Sequence, residues 1–265
     1  MTGEETTLLA NYGLKDEIRD YWSGRAATFD DSPSHRIDEE YGMPEWHRLI
    51  RQACGLEPFG NLAGHQVLDI ACGTGEVSRM LCGLGATVTG IDFSETMLAR
   101  ARRKLVGQAW RGLLCDAEAL ALLPDAHFDL VVTRHLVWTL TDPMAAFTEW
   151  RRVLKPGGRI LIVDGNWVAP KKSILQRVRN GLANLLEPAE EPDRIDRERH
   201  FAILSRVAYA GGLTPRKLEQ DLRRAGFTEC RLLSVHRLYG RGMRNASLAQ
   251  RLRLTGAHRF AFVAS

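Results

Sequence analysis

Val67-Leu68-Asp69-Ile70-Ala71-Cys72-Gly73-Thr74-Gly75 is the stretch on which the fold turns. The short apolar run Val67–Ala71 reads as a buried strand, and the small residues after it let the chain turn into the helical pattern of Glu76–Leu84. Glycine has no Cβ, so a ligand can approach the backbone closely at such a turn. Taken alone, the pattern also fits dinucleotide sites and plain tight turns. The residues that follow narrow it. Thr87–Ile91 is a second apolar run, and Gly90-Ile91-Asp92-Phe93-Ser94 places an acid about seventeen residues past Gly75, at a strand end. A carboxylate there can accept both hydroxyls of an adenosine ribose. Ser94 is the expected N-cap of a helix with Met97, Leu98 and Ala101 on one face. Gly112–Cys115 is a third strand that ends in Asp116-Ala117-Glu118, in position to meet an adenine edge.

Further along, Phe128–Thr133 is apolar throughout most of its length, as in a strand covered on both faces. Asp142 caps a helix with Phe147, Trp150 and Leu154 on its apolar stripe. Pro156-Gly157-Gly158 ends it, and Arg159–Val163 is a fifth strand. Strands alternating with helices imply a parallel sheet with helices on both faces. Before the first motif, Leu14–Phe29 and Met43–Leu56 have helical patterns, separated by the polar turn Asp30–His35. After the fifth strand, Gly165–Gly212 is too long for a bare loop. Ile174, Val178, Leu182 and Leu185 fall at helical spacing, so Lys171–Leu186 is predicted as an amphipathic helix. Pro188 and Pro192 interrupt Glu187–Asp193, and a second helix is expected over Ile195–Ala208. Pro215–Ala225 is a further helix, followed by two closing strands, Glu229–Arg237 and Ala257–Ala264, with a polar, Arg-rich connection. The expected division is an N-terminal helical cap (1–60), a Rossmann-like core (61–165), a helical lid (166–212) and a C-terminal return to the core sheet (213–265).

Composition excludes several classes. With 265 residues, 45% of them hydrophobic, the chain can bury one sizeable core. Its net charge of +4 comes from 36 basic and 32 acidic residues spread along the chain, so nucleic acid is not an expected partner. The five cysteines, Cys54, Cys72, Cys82, Cys115 and Cys230, stand alone, against a disulfide framework or a zinc site. The segment Met1–Asp20 carries Glu4, Glu5, Asp16 and Glu17 and no long apolar run, so no signal peptide is expected. No stretch has the apolar length needed to span a bilayer. The expected setting is cytoplasmic, as a monomer or homodimer.

These motifs together resemble a class I S-adenosylmethionine (SAM)-dependent methyltransferase of the small-molecule, type 11 group, similar to the ubiquinone/menaquinone-biosynthesis methyltransferases. The resemblance covers Tyr21 to Gly165 and resumes weakly over Pro215–Ala264. It implies a Rossmann-like, doubly wound, seven-stranded sheet, parallel except for one antiparallel edge strand. Asp69 to Gly75 matches the family's first motif, with Ala71 where many members have glycine. Asp92 matches the ribose position, Asp116 and Ala117 the adenine position, and Phe93 and Met97 would flank the adenosine. The methionine part of SAM would lie against Cys72, Gly73 and Thr74. Leu154-Lys155-Pro156-Gly157-Gly158 and Ala225-Gly226-Phe227 match the turns before strands five and six. Tyr21-Trp22-x-x-Arg25-Ala26 resembles an N-terminal helix of some members, in which Tyr21 and Arg25 reach the methionine carboxylate. Packing of Tyr21 and Trp22 on the core is the competing explanation.

A sulfonium methyl is already electrophilic, so the protein must mainly hold an acceptor in line and exclude water. A base is needed only where the acceptor must lose a proton. Arg134-His135-Leu136-Val137-Trp138 ends strand four. His135 is the candidate base, with a structural histidine at a strand end, or a cofactor backbone contact at Arg134–His135, as the competing readings; Arg134 is a candidate cofactor contact. Trp138 is a candidate for the acceptor wall or for cation–π contact with the donor. His35, His47, Trp167, His200 and Tyr209 are weaker candidates. No pair has metal-ligand spacing, so no metal is predicted. A nicotinamide enzyme fits less well, because Ser78 stands where a third small residue is wanted and about sixty residues precede the first motif. The alternatives retained are an RNA or protein methyltransferase and a SAM-binding protein that does not methylate. The acceptor atom, O, N, C or S, is not legible.

Overall fold

A computed structural model describes residues 13–32, 35–40, 42–168, 174–187, 194–240, 242–243, 246–254 and 259–265. Helix α1 (Leu14–Arg25) and α2 (Met43–Cys54) precede the sheet. Then come β1 (Gln66–Ile70), α3 (Glu76–Gly83), β2 (Thr87–Asp92), α4 (Glu95–Lys104), β3 (Trp110–Leu114), β4 (Phe128–Arg134), α5 (Pro143–Val153) and β5 (Leu154–Gly165). The remaining elements are α6 (Ile174–Leu186), α7 (Arg194–Leu204), α8 (Pro215–Arg224), β6 (Cys230–Leu233), α9 (Leu248–Leu254) and β7 (Arg259–Ala264).

The strands form one seven-stranded sheet in the order β3-β2-β1-β4-β5-β7-β6. β1 to β5 run parallel, and β7 is antiparallel to both β5 and β6. The antiparallel strand therefore lies one place in from the margin, with β6 outside it. This is the expected Rossmann-like, doubly wound sheet. Two cores sandwich it, and strand alternation divides the side chains between them. Phe128, Val131, Ile160 and Ile162 face α5 and α8 through Phe147, Trp150, Leu218 and Leu222. Leu130, Val132, Leu161 and Val163 face α2 and α3 through Trp46, Ile50, Met80 and Leu81.

Local signals explain the elements that shape the strand ends. Ser94 caps α4 by accepting from Met97 N (3.3 Å), and Asp142 caps α5 by accepting from Ala145 N (3.0 Å). Gly75 has φ +86°, and a Cβ there would stand 2.9 Å from Leu105 Cδ1 and 3.2 Å from Ala101 Cβ. Only glycine lets α3 start this close to α4.

Several expected boundaries shift. Leu14–Phe29 ends as a helix at Arg25, and Phe29–Asp31 is a separate 3-10 turn. Pro156-Gly157-Gly158 lies within β5 as a register irregularity opposite Phe128–Leu130, since Leu154 already pairs with Phe128. The first closing strand contracts to Cys230–Leu233, and the Arg-rich connection contains α9. The stripe Ile174, Val178, Leu182 and Leu185 is exposed, not packed inward. α6 instead buries Gln176 and Ala183, and Arg253 of α9 donates to the Ala183 and Glu187 carbonyls and to Asn184 Oδ1. The expected helix start at 171–173 and the proline-broken stretch 188–193 lie outside the described residues. Among the described residues, no helix is long and apolar enough to cross a membrane.

Candidate active site

A cavity of about 320 Å³ opens at the carboxyl ends of β1, β2 and β4, beneath α1. Two smaller recesses continue it along the sheet edge. One is lined by Asp116, Ala117 and Glu118, the other by Asp69, Cys72 and Thr74. The whole forms one groove, because the first recess shares Ala71, Asp92 and Phe93 with the main cavity and the second shares Ala71, Gly73 and His135.

The floor is built by the turn after β1. Asp92 is buried, and its oxygens accept from Gly73 N (2.9 Å) and Ser94 N (2.9 Å). Each oxygen keeps a second acceptor direction for a ligand. Burial raises the Asp92 pKa to about 6, against the pull of those amides. Asp69 lies deeper and accepts from Ser78 Oγ (2.7 Å), and burial raises its carboxyl to about 7. Gly73 has φ +55°, and a Cβ built on it would meet only the Phe29 ring, at 3.8 Å, so the space in front of it is open. Ala71 also has positive φ, 54°. Of the first motif, Ile70 and Gly75 line none of these spaces; Ile70 is in the core, and the role of Gly75 is the α3–α4 packing.

The roof comes from α1 and the turn after it. Arg25 Nη1 donates to the Tyr21 hydroxyl (2.8 Å), with both side chains on the cavity wall. Lys15 bridges Asp116 and Glu118, at 2.6 Å from each, and so ties α1 across the end of the groove at β3. Glu118 is held in turn by Thr141 N (2.6 Å) and Asp142 N (3.1 Å). Ser23 Oγ meets Ser94 Oγ at 2.8 Å, a second tie between roof and floor.

Rings line the far side. Trp22 and Trp138 meet edge to face with centroids 6.2 Å apart, and His200 from α7 lies 5.4 Å from Tyr21 and 5.8 Å from Trp138. His35 stacks on Phe29 at 4.0 Å. Its Nδ1 lies 2.8 Å from the Phe29 carbonyl, which can only accept, so Nδ1 carries the proton and Nε2 is left as an acceptor. Burial, reinforced by Arg134, lowers the His35 pKa to about 4. His135 has φ +57° and a buried Nε2 without a partner; burial and then Arg134 push its pKa well below the ordinary value. Both imidazoles are therefore neutral at pH 7. Trp167 closes this side, 5.1 Å from His135, with its indole N–H donating to Asp164 Oδ1 (3.1 Å).

The groove thus gathers Tyr21, Arg25, Phe93, Met97, Arg134, Trp138 and the residues above. Tyr209 is not among them. It is buried elsewhere and donates to Asp221 Oδ2 (3.0 Å). Phe29, Lys15 and Thr139 were not singled out from the sequence. Phe29 had one signal, its place at the end of the first helical pattern, where a chain turning back must cover something. Among the described residues, no group of three or more His, Cys, Asp or Glu side chains is placed to hold a metal.

A family model described as a methyltransferase domain matches residues 68–162. The ubiquinone/menaquinone biosynthesis C-methyltransferase UbiE of Cupriavidus necator is 36% identical over 124 residues, which is 45% of this chain and 49% of that protein. The protein of the same description from Desulfotalea psychrophila is 36% identical over 132 residues, 49% of this chain and 50% of that one. The chain therefore spans about half the length of the curated relatives it matches. Among solved structures, a SAM-dependent methyltransferase from Aquifex aeolicus superposes with TM-score 0.56 at 19% identity, over 91% of this chain and 97% of that one. Phosphoethanolamine N-methyltransferase 2 of Haemonchus contortus, solved with SAM, gives 0.61 at 17% identity, over 93% and 59%. The matched stretch, residues 68–162, runs from β1 to β5, so the part of this chain that is similar to a methyltransferase domain is the part whose strand ends frame the groove.

Proposed function

We propose that the protein transfers a methyl group from SAM to a small-molecule acceptor by in-line displacement, in the cytoplasm, as a monomer or homodimer. The observation that carries this is the groove itself. A buried carboxylate, Asp92, stands between two backbone amides at one bend, and a ring-lined chamber opens next to it. The residues fit the donor: open space in front of Gly73, a carboxylate with free acceptor directions at β2, and a recess at Asp116 and Ala117. When bound, SAM supplies an electrophilic sulfonium methyl, and S-adenosylhomocysteine is left after transfer.

The rest falls to this chain's own side chains. Asp92 binds the ribose hydroxyls, and Asp116 and Ala117 meet the adenine, with Phe93 and Met97 beside the nucleoside. Arg25, held by Tyr21, and the backbone from Ala71 to Thr74 hold the amino-acid end. Asp69 and Arg134 support that floor. Trp138, Trp167, His35 and His200 wall the acceptor and keep water out, which is most of what such a transfer requires. His135 is neutral and lacks a partner at Nε2, so it can exchange a hydrogen bond with a polar group of the acceptor there. The curated relatives carry C-methyltransferase in their names, so an activated ring carbon is the first acceptor class to assay, with an amine as the contrast.

Calorimetry with SAM and S-adenosylhomocysteine tests the proposal. Both should bind, and Asp92→Ala should cost about 1–3 kcal/mol of affinity through lost charge-assisted hydrogen bonds. Wild-type affinity should also weaken as pH falls through about 6, where Asp92 gains a proton. A folded protein that releases no heat with either nucleoside refutes the assignment.

A further inference from the structure

Away from the groove, the Arg259 guanidinium has no acidic partner among the described residues. Arg259 opens β7 opposite Gly165. Its guanidinium lies against two ring faces, 4.1 Å from the Tyr239 centroid and 5.0 Å from that of Trp167. Its Nε and Nη1 are buried without hydrogen-bond partners, and so is the Tyr239 hydroxyl. Burial above all lowers its pKa; Tyr239 acts against this, and the like charge of Arg134 adds to it. Ring faces attract a cation but do not replace the hydrogen bonds and charge that water supplied.

Beside this cation is a cavity of about 470 Å³ that shares no lining residue with the groove. Arg259, Tyr239, Ser234 and His236 supply its polar wall, and Leu232 and Leu254 lie on its apolar side. None of its described lining residues carries a carboxylate. We propose that this cavity is a second binding site, for an oxyanion of the carboxylate or phosphate-monoester class. Arg259 supplies the charge, and Tyr239 and Ser234 supply hydroxyl donors. The chemistry follows from complementarity: buried donors without acceptors, a positive charge with no acidic partner among the described residues, and no acid in the described lining to repel the ligand. Trp167 lines the groove and touches both residues, with the Arg259 guanidinium 5.0 Å and the His135 ring 5.1 Å from its ring.

The site can be tested on the full chain with no methyl donor present, so the result is independent of the methyl-transfer proposal. Inorganic phosphate and acetate, at ionic strength fixed with sodium chloride, are titrated separately while the tryptophan indole ¹H–¹⁵N signals are followed. Trp167→Phe identifies the Trp167 signal. A saturable shift of that signal is expected, with binding about tenfold or more weaker in Arg259→Met, as for the loss of one charged hydrogen-bonding group. A response to phosphate but not acetate assigns the phosphate class, and the reverse assigns a carboxylate. If Arg259→Met does not fold, Tyr239→Phe and Ser234→Ala must each weaken the response severalfold. The proposal fails if Trp167 does not respond in the folded wild type, if chloride alone gives the same shift, or if the variants titrate like wild type.

Discussion

Ala71 and His135 end adjacent strands, β1 and β4, with φ of 54° and 57°, and both line the same cavity. Left-handed backbone costs a residue with a Cβ about 1–2 kcal/mol, and glycine returns part of that as unfolded-state entropy. Ala71→Gly should therefore raise stability by about 0.5–1 kcal/mol in urea unfolding. A loss would mean that the Ala71 methyl packs better than its backbone strain suggests. Asp164 gives a second expectation at this scale. It is buried, accepts from Val137 N (2.8 Å) and Gly165 N (2.7 Å), and burial raises its pKa to about 7. A carboxyl raised in the folded state contributes stability that is full below its unfolded pKa and is lost as pH rises through the folded value. Asn stays neutral throughout. Relative to wild type, Asp164→Asn should thus gain on the order of 1–3 kcal/mol between pH 5 and pH 8. Parallel unfolding curves at the two pH values would exclude this. Asp92 and Ser94 were legible in the sequence because their partners lie within a strand, a turn and a helix start. The stacking of His35 on Phe29 was not, since it depends on how an irregular turn folds over a distant strand end.

At the scale of elements, the roof depends on helices that lie far apart in the chain. α1 is tied to the floor through Lys15 and Ser23, and Arg206, just beyond α7, pairs with Glu17 at 2.5 Å. That exposed pair contributes little by itself, but His200 of α7 also touches Tyr21 and Trp138 inside the cavity. We expect residues 166–212 to act as a cover that tightens over bound ligand. Limited proteolysis should then be slower in that segment with S-adenosylhomocysteine; equal cleavage with and without it would remove the idea. Helical periodicity located α6 and α7 but misassigned the buried face of α6. Spacing reports that a stripe exists, while the neighbour it meets is a tertiary matter. Here α9 takes the opposite face, and α9 itself was hidden in a connection whose arginines made it look like a loop.

In the whole molecule, a single sheet divides the interior in two. Phe147 and Ile50 lie on opposite sides of it, in separate cores. Phe147→Leu and Ile50→Val should each cost about 1 kcal/mol, and the double variant should match their sum within about 0.5 kcal/mol. A larger departure would mean that strain crosses the sheet. The βαβ succession made the parallel strands legible, since a crossover leaves few other arrangements. The tail was harder: β6 is short, and its place is set by a strand that follows it.

That last relation has a kinetic consequence. β6 touches the sheet only through β7, so it has nowhere to dock until the later strand has slotted in beside β5. A nascent chain that has made β6 but not β7 exposes the unsatisfied edge of β5, a ready template for a neighbouring polypeptide. Synthesis of this protein should therefore pass through a brief, aggregation-prone stage that ends only when the antiparallel strand arrives.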